Sequence, residues 1–178
     1  MKIVIKEPEK ETAAASTEPV IVDGVRYYQI NINPRYLNTA TDLSIAKTIL
    51  HESIHAFLLA SYFHEPELLQ LNYPQLVEEW IKAKYPSELL NIHHEAIVRS
   101  FVADLAVTLK KYGELKGYDL QDQFYEDLAW GGLTSTKAYS ELSYSVRKRI
   151  EDVILIELKG EKLDTYKVKP KGTRLDCY

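Results

Sequence analysis

Residues 45–59 read Ile-Ala-Lys-Thr-Ile-Leu-His-Glu-Ser-Ile-His-Ala-Phe-Leu-Leu, and no other stretch restricts the fold as strongly. At helical spacing Leu50, Ile54 and Phe57 cover one flank, while Ile45, Ile49 and Ala56 cover another. A helix with so little face for water is expected inside the domain, with the rest of the chain wrapped around it. Within it stands His51-Glu52-x-x-His55. Histidines four residues apart share a helical face one turn apart, so both imidazoles can reach one ion. Glu52, about a quarter-turn round, can reach a water beside that ion without becoming a ligand. Polar groups buried without partners are costly, and a metal removes that penalty. The plain alternative puts His51 at a solvent-facing position and makes His55 a hydrogen-bonded core residue. The apolar surroundings and a candidate third ligand on another segment weigh against it.

That third ligand is sought downstream. A helix is expected over residues 87–112, ended by Gly113, with an apolar stripe of Leu90, Ile97, Val98, Phe101, Val102, Leu105 and Leu109. His94 lies inside the stripe, Glu95 at its margin, and His93 off the other margin. The inward residue is therefore His94, with Glu95 as the substitute. His64 lies beyond the motif face next to a proline and reads as surface.

Around these two segments the chain divides simply. Residues 3–5 suit a short strand, and residues 8–19, without large apolar side chains, a flexible connector or loop. Val20 to Tyr28 carries a hairpin signal, Asp23-Gly24 between β-branched residues, with the second strand running on to Asn33. Alternation puts Tyr28, Ile30 and Ile32 on one face of it. This strand reads as a cleft wall whose backbone could pair with an extended substrate. Thr39, Thr41 and Asp42 are the candidate caps of the motif helix, which should run to about Tyr62. Further helices are expected over residues 73–84, 124–130 and, in one or two pieces, 135–159, the last ended by Gly160. The turn Trp130-Gly131-Gly132-Leu133-Thr134 reads either as the floor or rim of a metal site or as an ordinary connection. Residues 1–160 are expected to form one domain and residues 161–178 an exposed polar, basic tail.

Composition narrows the partners. A chain of 178 residues with 46% hydrophobic content can bury a sizeable core. Its net charge of -4 offers no global basic field for nucleic acid. Its single cysteine excludes an intrachain disulfide and a Cys-rich zinc ribbon. No apolar run suits a signal peptide or a membrane span, so a cytoplasmic location is expected.

With an N-terminal strand unit before His51-Glu52-Ser53-Ile54-His55 and a later helix bearing His94-Glu95, the chain resembles the zincin metallopeptidases. The short chain and separate third ligand look most like the SprT-like branch. The resemblance implies an α+β fold, mostly helical, with a small N-terminal sheet beside the motif helix. It also implies a zinc-dependent endopeptidase with His51, His55 and His94 as ligands and Glu52 as general base. Three imidazoles with an open position make a catalytic zinc site, at which bound water becomes a nucleophile near neutral pH. Asp42, Glu95, Asp104 and Asp127 are the carboxylates available to orient the ligand histidines. A thermolysin-like third ligand would be a glutamate, which keeps Glu95 in play. The expected partner is an extended or unfolded polypeptide. The readings set against it are a zincin-like binding or structural module without turnover, and a zinc hydrolase of a non-peptide amide.

Overall fold

Asp23 and Gly24 adopt φ of 50° and 76°, the left-handed backbone that a two-residue hairpin turn requires. They join β2 (Ala15–Val22) to β3 (Val25–Ile32) in antiparallel register, from Val22 opposite Val25 to Ala15 opposite Ile32. β1 (Lys2–Ile5) runs parallel to the other side of β3, with Ile3 beside Ile30, giving the sheet order β1-β3-β2. The computed structural model describes residues 1–6, 13–61, 71, 73–84, 90–160 and 168–174, with the backbone alone at 73, 74, 81, 84 and 90–97.

Helices make up most of the remainder: α1 (Pro34–Leu37), α2 (Asp42–Ser61), α3 (Tyr73–Lys84), α4 (Leu90–Leu115), α5 (Asp122–Ala129), α6 (Lys137–Ser140) and α7 (Tyr144–Lys159). The fold is α+β, mostly helical, with a small N-terminal sheet. α2 lies between two apolar clusters. Ile30 and Ile32 of the sheet meet Tyr36, Ala40 and Ile45 on one side of it. On the other, Leu43, Leu58 and Leu59 join Val98, Leu109 and Leu128 of α4 and α5. Tyr36 also reaches α2 through its hydroxyl, 2.8 Å from Thr48 Oγ1 and 3.1 Å from Ser44 Oγ. The α4 stripe is buried at Val98, Val102, Leu105 and Leu109. Trp80 of α3 meets Phe101 of α4 edge to face, 5.6 Å between ring centroids.

The start of α2 is held by the far end of the chain. Thr41 caps it, its Oγ1 accepting from the Ser44 amide at 3.2 Å. Residues 168–174 form a strap across this end. The Asp42 amide donates to Thr173 O at 2.8 Å, and Asp42 Oδ1 accepts from the Thr173 amide at 2.9 Å. Glu157 of α7 lies beneath, fully buried. Its carboxylate accepts from Thr41 Oγ1 at 2.6 Å and from the amides of Lys171 and Gly172 at 2.7 and 3.1 Å.

Several expectations give way here. Residues 15–19, read as part of a loop over 8–19, are the first half of β2; they lack large side chains because this edge strand is only half-buried. Residues 8–12 and His64 lie outside the described residues. β3 is the middle strand, paired with β2 along its whole length and with β1 over Gln29–Ile32, so among the described residues only its Val25–Tyr28 half keeps an unpaired side. Phe57 is 57% exposed, so α2 does present one side to water near its end. Gly113 does not end α4, which continues to Leu115; a Cβ there would collide with the Tyr125 hydroxyl. The tail expected to be exposed is tied down where it forms the strap.

Candidate metal centre

The motif lies in the second half of α2, where the helix has passed the caps and runs between the sheet and the α5–α6 connection. Its helical spacing sends three side chains to three places. His51 packs against the Trp130–Thr134 turn, where a Cβ added to Gly132 would stand 2.6 Å from Nδ1 and 3.0 Å from Nε2. Glu52, 7% exposed, turns toward the sheet. Its Oε2 accepts a 2.6 Å hydrogen bond from Thr17 Oγ1 of β2. His55 lies between these directions on the helical wheel, with Nδ1 3.7 Å from Glu52 Oε2.

Electrostatics separate the two kinds of group. Burial, reinforced by the ammonium of Lys47, lowers the His51 pKa to about 3, so its imidazole is neutral and carries a lone pair for a metal. Burial alone would raise Glu52. The hydrogen bonds from His55 and Thr17 outweigh it and hold the carboxyl below its usual range. Glu52 is therefore an ionised carboxylate at neutral pH. Lys47, one turn before His51 on the same helical row, is lowered to about 8, chiefly by burial and against the pull of Glu52.

Two imidazoles from one helical face suit a first-row divalent cation, zinc above all, and the ionised carboxylate beside them suits proton transfer. The donors on α2 thus fit the metal expected. A third donor is required. The backbone of α4 carries His93, His94 and Glu95 in the turns before Val98, but their side chains lie outside the described residues. Among the described residues no group of three or more His, Cys, Asp or Glu side chains is arranged to hold a metal ion.

Two of the four carboxylates considered for orienting the ligands are engaged elsewhere, while Asp104 is exposed and the Glu95 side chain lies outside the described residues. Asp42 accepts from Tyr112, Tyr118 and Thr173 at the start of α2. Asp127 accepts a bidentate pair from Arg149 at 2.7 and 3.0 Å. Two neighbours of the motif escaped the sequence reading. Thr17 sat in a stretch without apolar periodicity, and only the β2–β3 register, which puts it opposite Ile30, directs it at Glu52. Lys47 was visible as the i−4 neighbour of His51 and could have been found from spacing alone. The groove of about 320 Å³ between α4 and α5, lined by Ala106, Lys110, Glu114 and Tyr125, includes none of the motif residues. Compared with protein-family models, curated proteins and solved structures, the chain matches none of them.

Proposed function

We propose that the chain is a zinc-dependent peptidase of the zincin type, with His51, His55 and His94 as ligands and Glu52 as general base. One observation carries the reading. From a buried helix, His51 and His55 project one turn apart on one face, with the ionised Glu52 carboxylate 3.7 Å from His55 Nδ1. A bound zinc ion supplies Lewis acidity toward a scissile carbonyl and an attacking water. Glu52 accepts the proton of that water and returns it to the leaving amine. Thr17 Oγ1 donates to Oε2 at 2.6 Å, which fixes the carboxylate's direction. Burial keeps His51 neutral and able to donate its lone pair. The substrate class is extended polypeptide. Among the described residues no strand pairs with the outer side of β2, the edge strand that carries Thr17, so such a chain can add main-chain hydrogen bonds there. Within the zincins the chain resembles the SprT-like branch.

The same Thr17–Glu52 bond supports a second reading. A buried carboxylate tied to the sheet also serves as a structural strut, as it would in a zincin-like binding module without turnover. Zinc content of protein purified without added metal, followed by casein cleavage with and without a chelator, separates the two. The peptidase reading expects about one zinc per chain, cleavage that stops with chelator, and a Glu52→Gln variant that keeps zinc but no longer cleaves. Zinc without cleavage of casein would leave the module. A Glu52→Gln variant cutting at the parent rate would remove Glu52 as the base.

A further inference from the structure

We infer that Gly132 is a positioning residue for His51, fixing the direction in which the imidazole meets its metal; the inference rests on the zinc reading above. The turn between α5 and α6 takes two side chains of one helical row of α2 on two consecutive glycines. Lys47 packs on Gly131 and His51, one turn further along, on Gly132. The two contacts differ in kind. A Cβ on Gly131 would lie 3.0 Å from Lys47 Cε and Nζ, the end of a flexible chain that can move aside. A Cβ on Gly132 would lie 2.6 Å from His51 Nδ1 and closer still to Cε1, in a ring that can yield only by rotating.

The turn itself cannot retreat. Leu133 is 1% exposed in the main core, and its amide donates to Trp130 O at 2.8 Å. The buried Thr136 hydroxyl donates to Leu133 O at 2.7 Å. Trp130 packs on Tyr139 with ring centroids 5.6 Å apart. Gly132 therefore forms a fixed wall at the ring edge that carries both nitrogens. A methyl here would stand 2.6 Å from Nδ1 and 3.0 Å from Nε2, so it would press on both nitrogens. Metal–nitrogen distances tolerate only about 0.2 Å, less than the ring rotation an added methyl would force.

The test compares Gly132→Ala with Gly117→Ala. Both glycines have positive φ, 93° and 78°, but a Cβ on Gly117 meets nothing within 4 Å, so the control isolates backbone strain. Zinc affinity is read by competition with a chromophoric chelator, and ligand geometry from the visible bands of the cobalt-substituted protein. Gly132→Ala should lower zinc affinity by about tenfold or more and alter the cobalt bands, while Gly117→Ala changes neither. In metal-free protein, Gly132→Ala should lower Tm more than Gly117→Ala, and in a His51→Ala background that excess should vanish. If Gly132→Ala alone does not fold, the double variant with His51→Ala should; a double variant that stays unfolded overturns the inference. So does a folded Gly132→Ala protein with parental zinc affinity and cobalt bands, which would leave the zinc reading standing. A parent that binds no zinc overturns both.

Discussion

Replacing Glu157 with alanine tests how α2 is held. The carboxylate is fully buried and accepts three hydrogen bonds, one from a buried hydroxyl of the helix cap and two from the strap backbone. Truncation strands those donors unequally. Lys171 is exposed, so its amide recovers a water. Thr41 and Gly172 are buried, and each loses its acceptor there, at about 1–3 kcal/mol per donor. Relief of the buried charge offsets part of this, because a carboxylate in a dry site carries its own desolvation penalty. The net expectation is a loss of about 3 kcal/mol, or roughly 10 °C in Tm for a chain of this size. Glu157→Gln keeps the shape and one acceptor oxygen, and should lose about 1 kcal/mol. Urea unfolding followed by circular dichroism measures both. A Glu157→Ala variant within about 0.5 kcal/mol of the parent would refute the reasoning, because surface changes alone stay inside that range.

Arg149→Met should lower stability by about 2 kcal/mol in the same assay, because it strands the Asp127 carboxylate; the half-exposed guanidinium keeps the loss below that of a fully buried pair. An unchanged midpoint would mean that water replaces the arginine. At alkaline pH, burial and Asp42 push the Tyr112 hydroxyl up to about 12, and burial and Glu151 do the same for Tyr139. The folded state then keeps protons that the unfolded chain loses, so this stability is intact below about pH 10 and declines as pH rises toward 12. Thermal unfolding across that window should show a shallower decline for Tyr112→Phe and Tyr139→Phe; slopes equal to the parent's would contradict the assignment.

Much of the scaffold was legible because its signals are local. Asp23-Gly24 announced the hairpin, Thr41 stood among the candidate caps of α2, and Gly160 closes α7 as expected. What escaped depends on partners distant in sequence. Ala15 to Pro19 carry no strand pattern of their own and become a strand by pairing with Tyr28 to Ile32. Phe57 matched the apolar pattern yet points to water, since periodicity tells which residues share a face and not whether a neighbour covers it. Within the candidate site, spacing on α2 identified His51, Glu52 and His55. Thr17 could not be reached that way, because it meets the motif only after the sheet closes on it, whereas Gly132 stood in the turn offered as a floor or rim of the site.

The cap of α2 draws on residues 116 positions away at Glu157 and 131 positions away at Thr173. During synthesis, therefore, the histidine-bearing helix emerges long before the groups that secure its first turn. A ribosome-bound chain must carry this apolar segment without its anchor until residues beyond 170 are released, an interval in which chaperone capture competes with closure.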